Sequence, residues 1–165
     1  IVDTINGWME LHPVAPEAHL YLWTVNSFTA GSDQGILPAI DVCEKIGFKP
    51  ISLIPWVKNN VGSPTPYGMR YTEMCIFAVR YDKGKGKRTR YSGTQELESV
   101  PNGKGLCGSK DYILAPRREH SRKPDEFYDY VEKRSKGPYL EMYSRTNRPA
   151  WCCVGNQTGT WDFSK

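Results

Sequence analysis

A group of cations directly precedes a predicted helix, in the sequence RREHSRKPDE at residues 117–126. Ser121 has the residue type of an N-cap, Pro124 suits a first helical turn, and the acidic pair that follows favours the positive end of the helix dipole. This arrangement holds Arg118, Arg122 and Lys123 beside backbone N–H groups that the helix leaves unpaired. Together these donors predict a site for a carboxylate or a phosphate.

Two further polar clusters follow predicted apolar strands, Ser144-Arg145-Thr146-Asn147 after one and Gly155-Asn156-Gln157 after the next. Ligands of α/β sheets bind outside the carboxyl ends of the strands. We therefore expect Lys58, the 117–123 segment, Arg145 and Asn156 to meet at one edge of a sheet and to form a single binding site there.

Strands and helices alternate along the chain. Six apolar runs, at residues 18–25, 50–57, 74–80, 111–115, 139–143 and 150–155, predict strands. Most are continuously hydrophobic, which is typical of a mostly parallel sheet buried on both faces. Helical spacing predicts one helix from Ile36 to Ile46 that Gly47 ends, and another from Phe127 to Arg134 that Gly137-Pro138 ends. The pattern predicts an α/β fold with a mostly parallel sheet flanked by helices.

The remaining long segments read as loops. Residues 59–68 are rich in Pro, Gly and Asn, and residues 83–108 are long with a basic start at 83–90. Loops of this length are usually functional or disordered. The basic start is either a solvated loop or a contact to nucleic acid phosphates. No repeat or domain boundary is visible, so residues 1–165 predict a single domain.

Composition excludes several classes of protein. Twenty-two Lys and Arg against 18 Asp and Glu give a net charge of +4, which permits a polyanionic partner without requiring one. The five Cys lack CxxC spacing and the three His lack ligand-like partners, so neither a disulfide framework nor a zinc site is predicted. No apolar run reaches the roughly 20 residues of a membrane span, and no signal peptide is visible. We expect a reducing compartment, cytoplasmic for a bacterial or phage-like protein and nuclear for a eukaryotic one.

An ordered set of segments resembles the MT-A70 adenine N6-methyltransferases, over nearly the whole chain. The run AHLYLWT at residues 18–24 resembles the family's first long strand, and Ile54-Pro55-Trp56-Val57-Lys58 its Trp-Val-Lys strand end. Residues 73–79, which begin Glu73-Met74-Cys75-Ile76, resemble its Glu-His-Cys-Leu strand, and residues 121–128, 141–145 and 155–157 resemble its cofactor half. The resemblance implies a Rossmann-like methyltransferase fold that binds S-adenosyl-L-methionine.

The resemblance also implies roles for individual residues. Lys123 matches the lysine near the methionyl carboxylate and the target amine, and Glu73 matches the acidic residue that faces the acceptor adenine; these two are the implied catalytic residues. Lys123 is also an implied cofactor-binding residue, at the methionyl carboxylate. The others are Arg145 and Asn147 at the ribose hydroxyls, and Asn156 and Gln157 at the ribose and adenine. Asn147 departs from the histidine of the messenger-RNA enzyme but still offers hydrogen bonds.

The target base must be unstacked from its neighbours and placed in a pocket, where aromatic side chains are useful. Trp56 and Tyr67 are the candidates. DNA is the favoured substrate, because RREHSRKPDE and the GPYLE at residues 137–141 resemble bacterial and phage-like members. RNA is the alternative, and a homodimer or heterodimer is open. The predicted nucleic-acid contacts are Trp56, Lys58, Lys85, Lys87, Arg88, Arg117, Arg118 and Arg122.

One motif of the family does not occur in this sequence. Active members carry Asp-Pro-Pro-Trp upstream of the region of resemblance, whereas Asp3 is followed here by Thr4-Ile5. Because the chain begins with Ile rather than Met, we expect the motif to lie in residues that this sequence does not include, with Ile1-Val2-Asp3 as the strand that enters it. The alternative is a non-catalytic subunit that binds nucleic acid for an active partner.

Overall fold

The computed structural model describes residues 1–12, 14–29, 33–80 and 110–155. None of the helices in these ranges is long and apolar enough to cross a membrane. The helices are α1 (Val2–Leu11), α2 (Ile36–Lys45) and α3 (Asp125–Arg134). The strands are β1 (His19–Thr24), β2 (Phe48–Lys58), β3 (Ser63–Thr65), β4 (Gly68–Arg70), β5 (Thr72–Arg80), β6 (Ile113–Ala115), β7 (Tyr139–Met142) and β8 (Trp151–Val154).

The main sheet has the strand order β1-β5-β2-β6, while β7 and β8 form a separate parallel pair and β3 and β4 form a hairpin. The α/β prediction is confirmed. The mostly parallel sheet is found only in part, because β5 runs antiparallel to both of its neighbours and only β2–β6 and β7–β8 are parallel. The continuous hydrophobicity of β5 reflects its central position, where Cys75, Ile76, Ala78 and Val79 are all buried.

Helices cover both faces of this sheet. Neighbouring residues of β5 point to opposite faces, and they belong to different clusters: Cys75 packs with α3 through Phe127 and Val131, whereas Ile76 packs with α2 through Ala39 and Cys43. The predicted strands and helices are thus found at the predicted positions along the chain. Gly47 ends α2 in the left-handed conformation (φ 84°), donating its N–H to the carbonyl of Glu44.

Three local predictions are wrong. Ile1-Val2-Asp3 does not form a strand, because α1 begins at Val2 and its apolar side packs on the α2 side of the sheet through Val2, Ile5 and Met9. The predicted loop at residues 59–68 contains β3 and the start of β4. Ser121 is not the N-cap of α3, which begins four residues later at Asp125. The segment 83–108 lies outside the described residues.

Arg148 ties the β7–β8 pair to α3. Its guanidinium donates to Glu132 through Nε at 2.7 Å and through a second nitrogen at 2.7 Å, and to Asp129 at 2.6 Å. The indole N–H of Trp151 donates to the same Glu132 carboxylate at 2.7 Å. These bonds lower the pKa of Glu132 below its ordinary value, with the Arg148 bond as the largest cause. The cluster therefore stabilises the packing of β8 against α3.

We expect Arg148→Met to lower the free energy of unfolding by about 1–2 kcal/mol near neutral pH, since charge-assisted bonds are lost but the site is partly solvated. A carboxylate with a lowered pKa stabilises the fold above its ordinary pKa of 4.5 and loses that contribution as the pH falls through the lowered value. Denaturant unfolding at neutral and acid pH measures this. An equal loss at both pH values would contradict the assigned role of Glu132.

Candidate active site at the sheet edge

The antiparallel direction of β5 brings an acidic residue to the edge where the other strands end. Thr24 at the end of β1 pairs with Met74, and Trp56 near the end of β2 pairs with Glu73. β6 ends beside β2, with Lys58 opposite Ala115, and leads into the 117–123 segment. The start of β5 therefore lies at the same edge as the carboxyl ends of β1, β2 and β6.

Lys123 is a desolvated cation at this edge. It is mostly buried, and its Nζ lies 4.7 Å from the ring centroid of Trp23 on β1. Burial lowers the pKa of Lys123, and the charges of Glu73 and Glu141 offset part of that effect, whereas Arg145 adds to it. Three residues predicted from separate parts of the chain, Glu73, Lys123 and Arg145, therefore interact electrostatically.

Glu73 forms an ion pair with a buried lysine. The Nζ of Lys58 lies 2.7 Å from Oε1 of Glu73, and the side chain of Lys58 is 2% exposed against 36% for Glu73. Lys58 also donates to the hydroxyl of Ser63 at 3.0 Å, and its Nζ lies 5.3 Å from the ring centroid of Trp56. The pair thus has one interior partner and one partner that solvent or a ligand can reach.

Trp56 and Lys58 do not face outward, which corrects their assignment as nucleic-acid contacts. Trp56 is 2% exposed, and its indole N–H donates to the carbonyl of Ala115 at 3.0 Å. Trp56 lies near the end of a central strand. Its ring packs edge-on against that of Trp23, with the ring centroids 6.1 Å apart. By contrast, Tyr67 between β3 and β4 is fully exposed.

The basic segment before α3 is internally paired. Arg118 lies 3.6 Å from Asp125 and 3.4 Å from Glu126, and Arg122 lies 3.6 Å from Glu119. Arg117 is exposed, and its backbone N–H donates to Asn60 at 2.8 Å. Acidic side chains of the first turn of α3 thus already bind one of the cations expected to hold an anion.

The β7–β8 edge is organised around Glu141. Its carboxylate accepts hydrogen bonds from Tyr128 at 2.9 Å and from the buried hydroxyl of Ser144 at 2.8 Å. Gly155 approaches Ser144 so closely that a Cβ at Gly155 would lie 2.0 Å from the Ser144 carbonyl oxygen. Arg145 follows this contact and is partly buried. The two strand ends are thereby locked together.

The remaining predicted site residues are exposed or lie outside the described part of the chain. Asn147 is exposed. Asn156, Gln157, Lys85, Lys87 and Arg88 lie outside the described residues, so their assignments stay predictions. Sequence reasoning did not single out Trp23 or Glu141. The signal for Glu141 was present, because a carboxylate inside an otherwise apolar strand needs a buried partner.

Two guanidinium groups before α3 keep a buried donor without a partner in the ranges that the structure describes. The Nε atoms of Arg118 and Arg122 are buried without a hydrogen-bond partner among the described residues, and Lys123 adds a cation. Such groups suit a carboxylate. No group of three or more His, Cys, Asp or Glu residues in the described part of the chain is arranged to hold a metal ion.

Comparison with known proteins identifies a family for this chain. The model of the family described as MT-A70 matches residues 9–157, which is most of the chain and includes the whole sheet edge described above. A search of curated proteins found no significant match.

Proposed function

The chain belongs to the MT-A70 family, and from this premise we propose that it transfers a methyl group from S-adenosyl-L-methionine to N6 of adenine in DNA. Family membership supports S-adenosylmethionine-dependent methylation of adenine N6 in general. The observation that carries the proposal is the placement at the strand ends of a partly exposed carboxylate, Glu73, which is held by Lys58, together with a mostly buried lysine, Lys123, which lies over Trp23.

Glu73 is the proposed acceptor for the target amine. The lone pair of an adenine amino group is delocalised into the ring, so the group is a poor nucleophile until it is held and pyramidalised. The 36% exposure of the Glu73 side chain leaves its carboxylate open to accept a hydrogen bond from the N6 amino group. A fixed acceptor of this kind acts by orientation and by electrostatic stabilisation as charge develops.

Lys123 and Arg145 are the proposed anchors of the cofactor, with Asn147 and, beyond the described residues, Asn156 and Gln157. The cofactor supplies an electrophilic methyl group on its sulfonium when bound. Lys123 lies in a mostly dehydrated position over Trp23, where an ammonium group binds a carboxylate far more strongly than it does in water. Arg145 directly follows Ser144, whose backbone is in close contact with Gly155. This contact fixes the backbone position from which the Arg145 side chain extends.

DNA is the proposed substrate because of the resemblance of residues 117–126 and 137–141 to bacterial and phage-like members. Arg117 is exposed beside the site and joins the 117–123 segment to the β3–β4 region through Asn60. With the basic residues Lys85, Lys87 and Arg88, it is a proposed phosphate contact. Arg118 and Arg122, which are paired within the segment, contribute by shaping it.

The decisive experiment incubates the protein with S-adenosylmethionine and matched DNA or RNA oligonucleotides, followed by nuclease digestion and mass spectrometry of the nucleosides. We expect N6-methyldeoxyadenosine from DNA. Methylation of RNA alone would replace DNA by RNA as the substrate. No product, together with no heat on titration with S-adenosylmethionine, would identify a non-catalytic subunit and overturn the proposal.

A further inference from the structure

The buried Lys58 has no role in the proposed reaction as described so far. It is 3% exposed at the end of β2, a depth at which lysine is rarely found unless it is paired. Its Nζ contacts Glu73 at 2.7 Å and Ser63 at 3.0 Å. An unpaired ammonium at this depth would be strongly destabilising. The contacts of Lys58 with Glu73 and Ser63 offset this cost.

We propose that Lys58 is a positioning residue that fixes the carboxylate of Glu73 for the target amine. This inference rests on the proposed function of Glu73. Lys58 binds Oε1 from the interior, so the carboxylate cannot turn into the protein and keeps its remaining lone pairs toward the exposed side. Lys58 itself touches neither adenine nor cofactor, because its side chain is enclosed.

The surroundings of Lys58 make it a rigid anchor. Its backbone N–H donates to the carbonyl of Tyr71 at 2.8 Å, which fixes the strand end beside the start of β5. Ser63, the first residue of β3, holds the ammonium from the other side. The ring of Trp56 lies 5.3 Å from the ammonium and is itself held by the Ala115 carbonyl. Three separate backbone segments therefore define where the Glu73 carboxylate lies.

A second cation nearby explains why an anchor is needed. Burial lowers the pKa of Lys123 and the charge of Glu73 raises it, but Lys123 forms no ion pair with a carboxylate in the described part of the chain. The Lys58 ion pair holds the Glu73 carboxylate at 2.7 Å, which leaves Lys123, 4.7 Å from the ring centroid of Trp23, to the cofactor carboxylate. The Lys58–Glu73 pair thus keeps the two functional groups apart and correctly oriented.

The test compares Lys58→Met, which keeps the length of the side chain, with Lys58→Arg in the full chain. We expect kcat to fall by roughly 10- to 100-fold in Lys58→Met, the scale of a misplaced catalytic group, while KM for DNA stays within about threefold. Lys58→Arg should recover part of the loss. The matched control is Lys45→Met, which removes a lysine paired with Asp41 at 2.6 Å on the exposed surface of α2 and should leave kcat unchanged.

A double-mutant cycle separates positioning from a merely structural role. In a Glu73→Gln background, Lys58→Met should cause no further loss of kcat, because the carboxylate that it positions is gone. An independent additional loss, a wild-type kcat in Lys58→Met, or a raised KM at unchanged kcat would each overturn the inference. A wild-type protein that methylates neither DNA nor RNA would instead refute the proposed function, and the inference would fall with it.

Discussion

Lys123→Ala is expected to reduce kcat/KM for DNA methylation by at least about a hundredfold and up to about a thousandfold, the range seen when a preorganised electrostatic partner is removed from an enclosed site. Lys123 lies over Trp23, is mostly dehydrated and interacts with Glu73 and Arg145. Calorimetric titration with S-adenosylmethionine should show a matching loss of affinity, because the proposed carboxylate contact disappears.

The matched control is Lys133→Ala, which removes an exposed lysine from the last turn of α3. It should leave both methylation and cofactor affinity within about twofold of wild type, in keeping with the small effect of exposed charges. Full activity of Lys123→Ala in a protein that unfolds as wild type would remove Lys123 from the site. Equal losses in both variants would point to a general effect of charge on nucleic acid binding.

The same lysine should oppose folding. A lysine whose pKa is lowered by burial destabilises the native state at every pH below that lowered value, and the penalty is relieved as the pH rises toward the ordinary pKa of 10.5. Lys123→Met should therefore raise the melting temperature at neutral pH while activity is lost. Glu73 keeps its partner Lys58 in this variant, so no carboxylate is left without a cation. A shift of roughly 2–4 °C would correspond to about 1 kcal/mol for a chain of this size.

Local patterns predicted the elements of this fold well but not the directions of its strands. The apolar runs that became β2 and β5 were found because burial on both faces leaves a continuous hydrophobic signature. A central antiparallel strand has the same hydrophobic signature, so the hydrophobicity of β5 could not predict its direction. The β3–β4 hairpin was missed because its strands are short, polar and largely exposed.

The site was predicted in part for a related physical reason. Strand ends were expected to bring Lys58, the 117–123 segment and Arg145 to one edge, and Lys58 and that segment do follow the neighbouring ends of β2 and β6. Glu73 was singled out only by the resemblance, because its place at this edge depends on the unpredicted antiparallel direction of β5. Side-chain direction is decided by tertiary contacts that no local pattern records. Trp56 lies within the predicted strand and Lys58 directly follows it, but their side chains turn inward, toward the Ala115 carbonyl and Ser63 respectively.

Gly155→Ala is expected to disrupt the cofactor half more than any other small substitution in the described chain. The added methyl group would lie 2.0 Å from the carbonyl oxygen and 2.8 Å from the nitrogen of Ser144. Both atoms belong to backbone, and the Ser144 N–H already donates to Val154 at 2.7 Å, so relief requires that β7 and β8 separate at their carboxyl ends. Overpacking of this kind typically costs about 1–3 kcal/mol, and a rigid backbone neighbour favours the upper end.

The separation should also displace Arg145, the residue after Ser144, and thereby weaken S-adenosylmethionine binding by roughly tenfold or more, the scale of a lost charge-assisted bond. Chemical denaturation and calorimetry of the same preparation measure the two effects. Gly7→Ala is the matched control, because nothing lies within 4 Å of a Cβ there and alanine favours the interior of α1 by about 1 kcal/mol. If Gly155→Ala instead matched Gly7→Ala in stability and bound the cofactor normally, the close contact between the two strand ends would not exist in solution, and the proposed fixing of Arg145 would lose its basis.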